Sequence, residues 1–155
     1  MTAEEIIQLL KNKGVSLGSV ESFTGGGFAA AITSVSGASS VFKGAYVTYA
    51  TEEKHRLLNI DWDTINRFGV VSQEVAYKMA WHAKCLLNVD ICVSFTGNAG
   101  PTAMENKPVG EVYIGIAAKD FCQVHAFNLE GDRKTIQNKA INIALELIEK
   151  NLANF

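Results

Sequence analysis

The sequence is short of the residue patterns that mark several functional classes. Basic and acidic residues nearly cancel, 14 against 16 for a net charge of −2, which argues against a nucleic-acid module driven by a strong basic field. No run of like charge is long enough to form a tail. Cysteine occurs only at positions 85, 92 and 122, with no C-x-x-C spacing, so a disulfide framework or structural zinc site is not expected. Each is set among apolar residues and reads as a small core side chain. His55, His82 and His125 are far apart and make no H-x-x-x-H pattern, and no metal is predicted. No apolar stretch approaches the ~20 residues of a membrane span. Met1 to Glu5 lack the basic and apolar regions of a signal peptide, so the expected protein is soluble and cytoplasmic, with no membrane partner.

What is present is an apolar content of 48% in 155 residues, ample for one domain with its own core. Thr2 and Glu5 stand in capping-box spacing ahead of Ile6, Ile7, Leu9 and Leu10, with Gly14 as the stop of a first helix. Leu17 to Val20 reads as a strand, Phe28 to Ile32 as a helix, Ala45 to Tyr49 as a strand and Thr51 to Leu58 as a short helix. Ser72 opens a longer helix with Val75, Ala76, Met79, Ala80 and Ala83 on one face. Strands follow at Asp90 to Phe95, Glu111 to Ala118 and Gln123 to Leu129, and a last helix starts near Asp132. Interleaved helices and strands ending in a hairpin predict an α/β fold, a single three-layer α/β/α domain over residues 1–155 with a mixed sheet. The site is expected in the loops at the strand ends.

Within that frame, Glu21-Ser22-Phe23-Thr24-Gly25-Gly26 places hydroxyls between a strand and a glycine turn that opens a helix. Such a turn aims backbone N–H groups at whatever sits in it, and can bind phosphate or an oxyanion. Ser22 is the candidate nucleophile, although Ser and Thr also cap helices. Lys54 is its best partner. If Thr51 caps the short helix, Lys54 lies in the first turn, where the helix dipole disfavours an ammonium and suits a general base. A solvated lysine in a mixed-charge helix, beside Glu52 and Glu53, is the reading these residues favour on their own. Tyr49 at a strand end, and Ser39 and Ser40 after Gly37, are further polar candidates, with packing and turn formation as their ordinary roles. Thr96-Gly97-Asn98-Ala99-Gly100-Pro101 forms a second glycine-rich turn. Arg133 follows the N-cap candidate Asp132, where its planar fork suits a phosphate.

These segments, together with Gly37 to Phe42, Val47 to Tyr49, Glu52 to Lys54, Gly69 to Ser72, Lys107 to Gly110 and Gly131 to Arg133, resemble in order and spacing the CinA C-terminal domain family. Its enzymatically active members are nicotinamide-nucleotide amidases. The resemblance implies hydrolysis of the carboxamide of nicotinamide mononucleotide, a small-molecule pyridine mononucleotide substrate, no cofactor, and room for a homodimer. It places the proposed nucleophile at Ser22 and base at Lys54, with Ser39, Tyr49, Thr96 and Arg133 on other polar site positions. Thr24, Gly25, Gly26 and Gly97 would contact substrate, the N–H groups around Gly25 and Gly97 holding an oxyanion. Either Ser22 or Ser39 could attack, with the other in support, and Tyr49 or Ser39 would relay or orient the proton transfer. A silent nucleotide-binding or regulatory member, or an amidase for another small carboxamide, would fit the same resemblance. The chain departs from the family pattern at Phe23, Thr51 and Asn98, and its Thr102 to Asn106 segment has no glycine where the family is glycine-rich.

Overall fold

The computed structural model describes every residue from Met1 to Phe155. Helix α1 (Ala3–Lys13) begins with the predicted capping box, Thr2 and Glu5 exchanging side-chain and backbone hydrogen bonds, and ends at Gly14 in the left-handed region. Strand β1 (Leu17–Glu21) is buried along its whole length. It leads into helix α2 (Gly27–Thr33), a 3-10 turn (Ala38–Ser40) and strand β2 (Phe42–Val47). Helices α3 (Thr51–Arg56), α4 (Trp62–Phe68) and α5 (Gln73–Leu87) precede strands β3 (Ile91–Gly97), β4 (Glu111–Ala118) and β5 (Phe121–Asn128). Helix α6 (Arg133–Leu152) closes the chain, capped by Asp132 as expected.

The sheet runs β2-β1-β3-β4-β5. β1 pairs in parallel with β2 and β3, whereas β4 runs antiparallel to both β3 and β5, so the sheet is mixed and ends in the predicted hairpin. Helices cover both faces. Ile91, Val93 and Phe95 alternate onto the side packed by α1, α2 and α6, while Val20 and Cys92 face α4 and α5. α5 lies close against β3 and β4 because the contact residues are small. A Cβ on Gly115 would sit 2.5 Å from Ser94 Oγ and 2.8 Å from the Ala76 carbonyl. Ser94 Oγ instead donates to that carbonyl at 2.7 Å and accepts from Gly115 N.

Four expectations need correction. β2 begins at Phe42 and ends at Val47, so Tyr49 lies past the strand. Thr96 and Gly97 belong to β3, paired with Tyr113 and Val112, and not to the following turn. Helix α4 was not expected, since Thr64 and Ile65 are its only buried residues and no apolar period marks it. Of the three cysteines only Cys92 is in the core; Cys85 is exposed and Cys122 partly so.

Candidate active site

The carboxyl ends of the parallel strands β1 and β2 meet at one point, and the candidate residues project from the turns that follow them. Ser22 N donates to Phe95 O at 2.9 Å, holding the chain to β3 for one residue beyond β1. The chain then turns back on itself, Gly25 N donating to Ser22 O and Gly27 N to Thr24 O, both at 2.9 Å. Gly25 and Gly26, with φ of 59° and 93°, supply the left-handed conformations the turn requires. The buried Glu21 carboxylate accepts from Phe28 N and Ala29 N at 3.0 Å each, satisfying the first N–H groups of α2. From the other side Gln137 Nε2 donates to Phe23 O at 2.8 Å, tying α6 to the same turn. Ser22 is thus held from three elements. Replacing Glu21 by alanine strands one buried and one partly buried N–H group, and a loss of about 3 kcal/mol is expected in denaturant unfolding.

Lys54 is carried by α3 directly after β2. Ala50, and not Thr51, is the N-cap of this helix, and it makes no side-chain cap bond. Lys54 is the one buried residue of α3, only 1% exposed. Its ammonium donates to Ser22 Oγ at 2.9 Å and to the Thr48 carbonyl at 2.7 Å. Burial pushes its pKa down from 10.5 to about 8, against the opposing pull of the Glu105 and Glu52 carboxylates. Desolvation therefore does what the helix dipole was expected to do. Glu53 plays little part, being paired with Arg56 at 2.6 Å.

A cavity of about 290 Å³ opens above this pair and brings together Ser22, Tyr49, Lys54, Thr96, Gly97 and Arg133. Tyr49 is 62% exposed at its rim. Thr96 Oγ1 donates to Val70 O at 2.6 Å, which leaves only its lone pairs for a ligand. Arg133, the first residue of α6, is exposed and enters none of the four ion pairs of the fold.

Other expected residues lie elsewhere. Ser39 sits in the 3-10 turn before β2 and lines a separate surface groove. The site is at the opposite end of that strand, about 20 Å away for six residues. Thr24 lines a groove between α2 and α6, and its buried hydroxyl has no hydrogen-bond partner in the fold. Gly25 and Gly26 shape the turn without lining the cavity, and the Gly25 N–H is spent on Ser22 O. The Phe23 N–H makes no hydrogen bond within the fold and Phe23 lines the cavity, so it is the better donor for an oxyanion. Glu21, Gln137, Asn98, Glu105 and Lys107 were not anticipated as site supports. A carboxylate ahead of a helix start was the visible signal for Glu21, and the one-turn spacing from Arg133 that for Gln137. No group of three or more His, Cys, Asp or Glu side chains is placed to hold a metal ion, and no helix is long and apolar enough to cross a membrane.

Fold and site together define an α/β domain with a buried lysine-paired serine at the carboxyl end of a parallel strand pair. Residues 1–152 match the CinA C-terminal domain, and the chain belongs to that family. It is 42% identical over 153 residues to a protein of Caldicellulosiruptor saccharolyticus named among the competence-damage inducible proteins, covering 98% of this chain and 37% of that one. The chain thus spans little more than a third of the length of such curated relatives. Crystal structures of the same family show the same fold. The competence/damage inducible protein of Agrobacterium tumefaciens superposes with a TM-score of 0.91 at 31% identity, covering 96% of this chain and 92% of that one. The competence damage-inducible protein A of Klebsiella pneumoniae superposes with a TM-score of 0.94 at 26% identity, covering 100% and 99%.

Proposed function

We propose that this protein is a nicotinamide-nucleotide amidase that hydrolyses the carboxamide of nicotinamide mononucleotide to nicotinate mononucleotide and ammonia. The observation that carries the reading is the 2.9 Å contact between Ser22 Oγ and the Nζ of a lysine buried enough to be substantially neutral near pH 8. A neutral Lys54 keeps one N–H on the Thr48 carbonyl and turns its lone pair to the Ser22 hydroxyl. Ser22 Oγ attacks the carboxamide carbon as its proton passes to Lys54, and the Phe23 N–H faces the oxyanion. Lys54 returns the proton to the leaving nitrogen, ammonia departs, and a nicotinoyl ester remains on Ser22. Water, deprotonated by the same amine, cleaves the ester. Tyr49 offers a face to the pyridine ring, and Arg133 takes the 5′-phosphate.

The direct test is to follow ammonia and nicotinate mononucleotide after adding nicotinamide mononucleotide. Nucleotide binding without ammonia release would instead mark a silent, regulatory member of the family. Turnover of other small carboxamides in preference to the nucleotide would assign the altered loop after Pro101 a different substrate. Arg133→Ala should raise the KM for nicotinamide mononucleotide about 10- to 100-fold while changing that for the nucleoside little. Equal losses for both substrates would remove its phosphate role.

A further inference from the structure

Thr102 to Asn106 contain no glycine, yet the chain passes through two consecutive left-handed residues there, Glu105 at φ 53° and Asn106 at φ 58°. Lys107 N donates to Met104 O at 2.8 Å and the two residues form an isolated bridge, so Met104 to Lys107 is a tight turn of the I′ kind. Asparagine adopts that conformation readily; glutamate does so only when its surroundings hold it.

The surroundings here are specific. The Glu105 carboxylate accepts from Val70 N at 2.9 Å and Val71 N at 3.0 Å. Lys107 Nζ donates to Phe68 O at 2.9 Å and to Val71 O, and lies 3.4 Å from the same carboxylate. Asn98 joins the two limbs of the loop, its Oδ1 accepting from Gly100 N at 3.1 Å and its Nδ2 donating to Lys107 O at 3.3 Å. The bend that receives the turn leaves no room for a side chain. A Cβ on Gly69, at φ 78°, would come within 2.6 Å of Glu105 Oε1. Val70, whose N–H holds Glu105, offers its carbonyl to Thr96 Oγ1. Val70, Thr96, Thr102 and Met104 all line the Ser22–Lys54 cavity. Two departures from the family pattern, Asn98 and the loss of glycine, are thus one device, in which side-chain bonds replace loop freedom.

We propose that Glu105 is a positioning residue for the Ser22–Lys54 site: its turn is a strap fastened to the Gly69–Val71 bend, which sets the cavity wall before a ligand arrives and fixes a negative charge behind the wall that Val70 and Lys54 share. The strap makes the cavity a preformed slot for a mononucleotide-sized ligand, with Met104 as part of its apolar wall. The proposal rests on the pairing of Ser22 with Lys54 as the working dyad. The charges around Lys54 are Glu52, Glu53 and His55 on its own helix, Glu105 and Lys107 on the strap, Arg133 across the cavity and Glu21 at the end of β1. Glu53 is taken by Arg56, both Glu21 oxygens by α2, and His55 Nδ1 by the Ile60 carbonyl. Glu105 and Glu52 are the carboxylates that oppose the effect of burial.

The test reads Lys54 without needing turnover. Carbamylation of Lys54 by cyanate, followed by peptide mass against pH, has its midpoint at the lysine's own titration. Glu105→Gln removes the charge, and its one remaining acceptor oxygen keeps only one of the two bonds to Val70 N and Val71 N, so the midpoint should fall by about half a pH unit, the size of one screened charge. A carboxylate that only held structure would give the opposite sign, because a loosened wall admits water and raises the midpoint. Gly69→Ala keeps the charge and displaces the strap. It should weaken binding of nicotinamide mononucleotide at least tenfold by calorimetry, with KM rising more than kcat falls. If that variant fails to fold, Lys107→Met unfastens the same strap. An unmoved or raised midpoint in Glu105→Gln, or unchanged binding in the unfastened variant, would overturn the proposal. A protein with the shifted midpoint that released no ammonia would defeat the amidase reading and leave the strap standing.

Discussion

Ser22→Ala is expected to lower ammonia release from nicotinamide mononucleotide by about 10³-fold or more while leaving the unfolding transition little moved. The asymmetry follows from what the hydroxyl touches. Its side-chain partner is Lys54 Nζ at 2.9 Å, and the lysine keeps its second bond, to Thr48 O, without it. The turn itself is held by backbone bonds, by Glu21 and by Gln137, none of which uses Ser22 Oγ. An alanine therefore removes the attacking atom and almost nothing else. Ser39→Ala is the control, since Ser39 lies at the far end of β2 in another groove. It should leave turnover within about twofold of the parent, as surface changes away from a site do. Turnover of Ser22→Ala within tenfold of the parent, or a matching loss in Ser39→Ala, would remove Ser22 as the nucleophile.

Local chemistry made much of the fold legible. The capping box at Thr2, the N-caps Ser72 and Asp132, and the apolar face of α5 are signals confined to a few neighbouring residues, and each stands where the sequence placed it. Elements set by distant partners were read less well. β3 extends through Gly97 because Val112 pairs with it across the sheet, which no property of a Thr-Gly dipeptide announces. Lys54 is the sharpest case. Glu52, Glu53, His55 and Arg56 around it describe a solvated helix, and its burial appears only once α3 folds back over the ends of β1 and β2. The same holds for Ser39, whose place in the family pattern said nothing about which end of β2 it occupies. Glu105 was legible only as a missing glycine. Its role depends on Val70 and Val71, which lie 35 and 34 residues earlier in the chain.

Lys54→Met should abolish turnover to a similar degree, and it should do so with a pH signature in stability that a surface lysine could not give. A general base with pKa about 8 is about a tenth neutral at pH 7, so parent turnover should climb with pH and level off above 8. Methionine fills the buried path of the lysine stem but cannot accept the Ser22 proton. For stability, the folded pKa of Lys54 lies below its unfolded value of 10.5. The unfolded chain therefore binds more protons between those values, and the parent gains stability as pH rises through that window. Below pH 8 the native state carries the full cost of a buried ammonium. Methionine carries no such cost, though it leaves the Thr48 carbonyl without its lysine donor at about 1 to 3 kcal/mol, an offset that does not change with pH. Relative to the parent, Lys54→Met should lose about 2 to 3 kcal/mol between pH 7 and pH 10 in denaturant unfolding, every other titrating group being common to both proteins. A difference that stayed flat across that range would mean that Lys54 titrates as an ordinary exposed lysine, and the buried base would have to be given up with it.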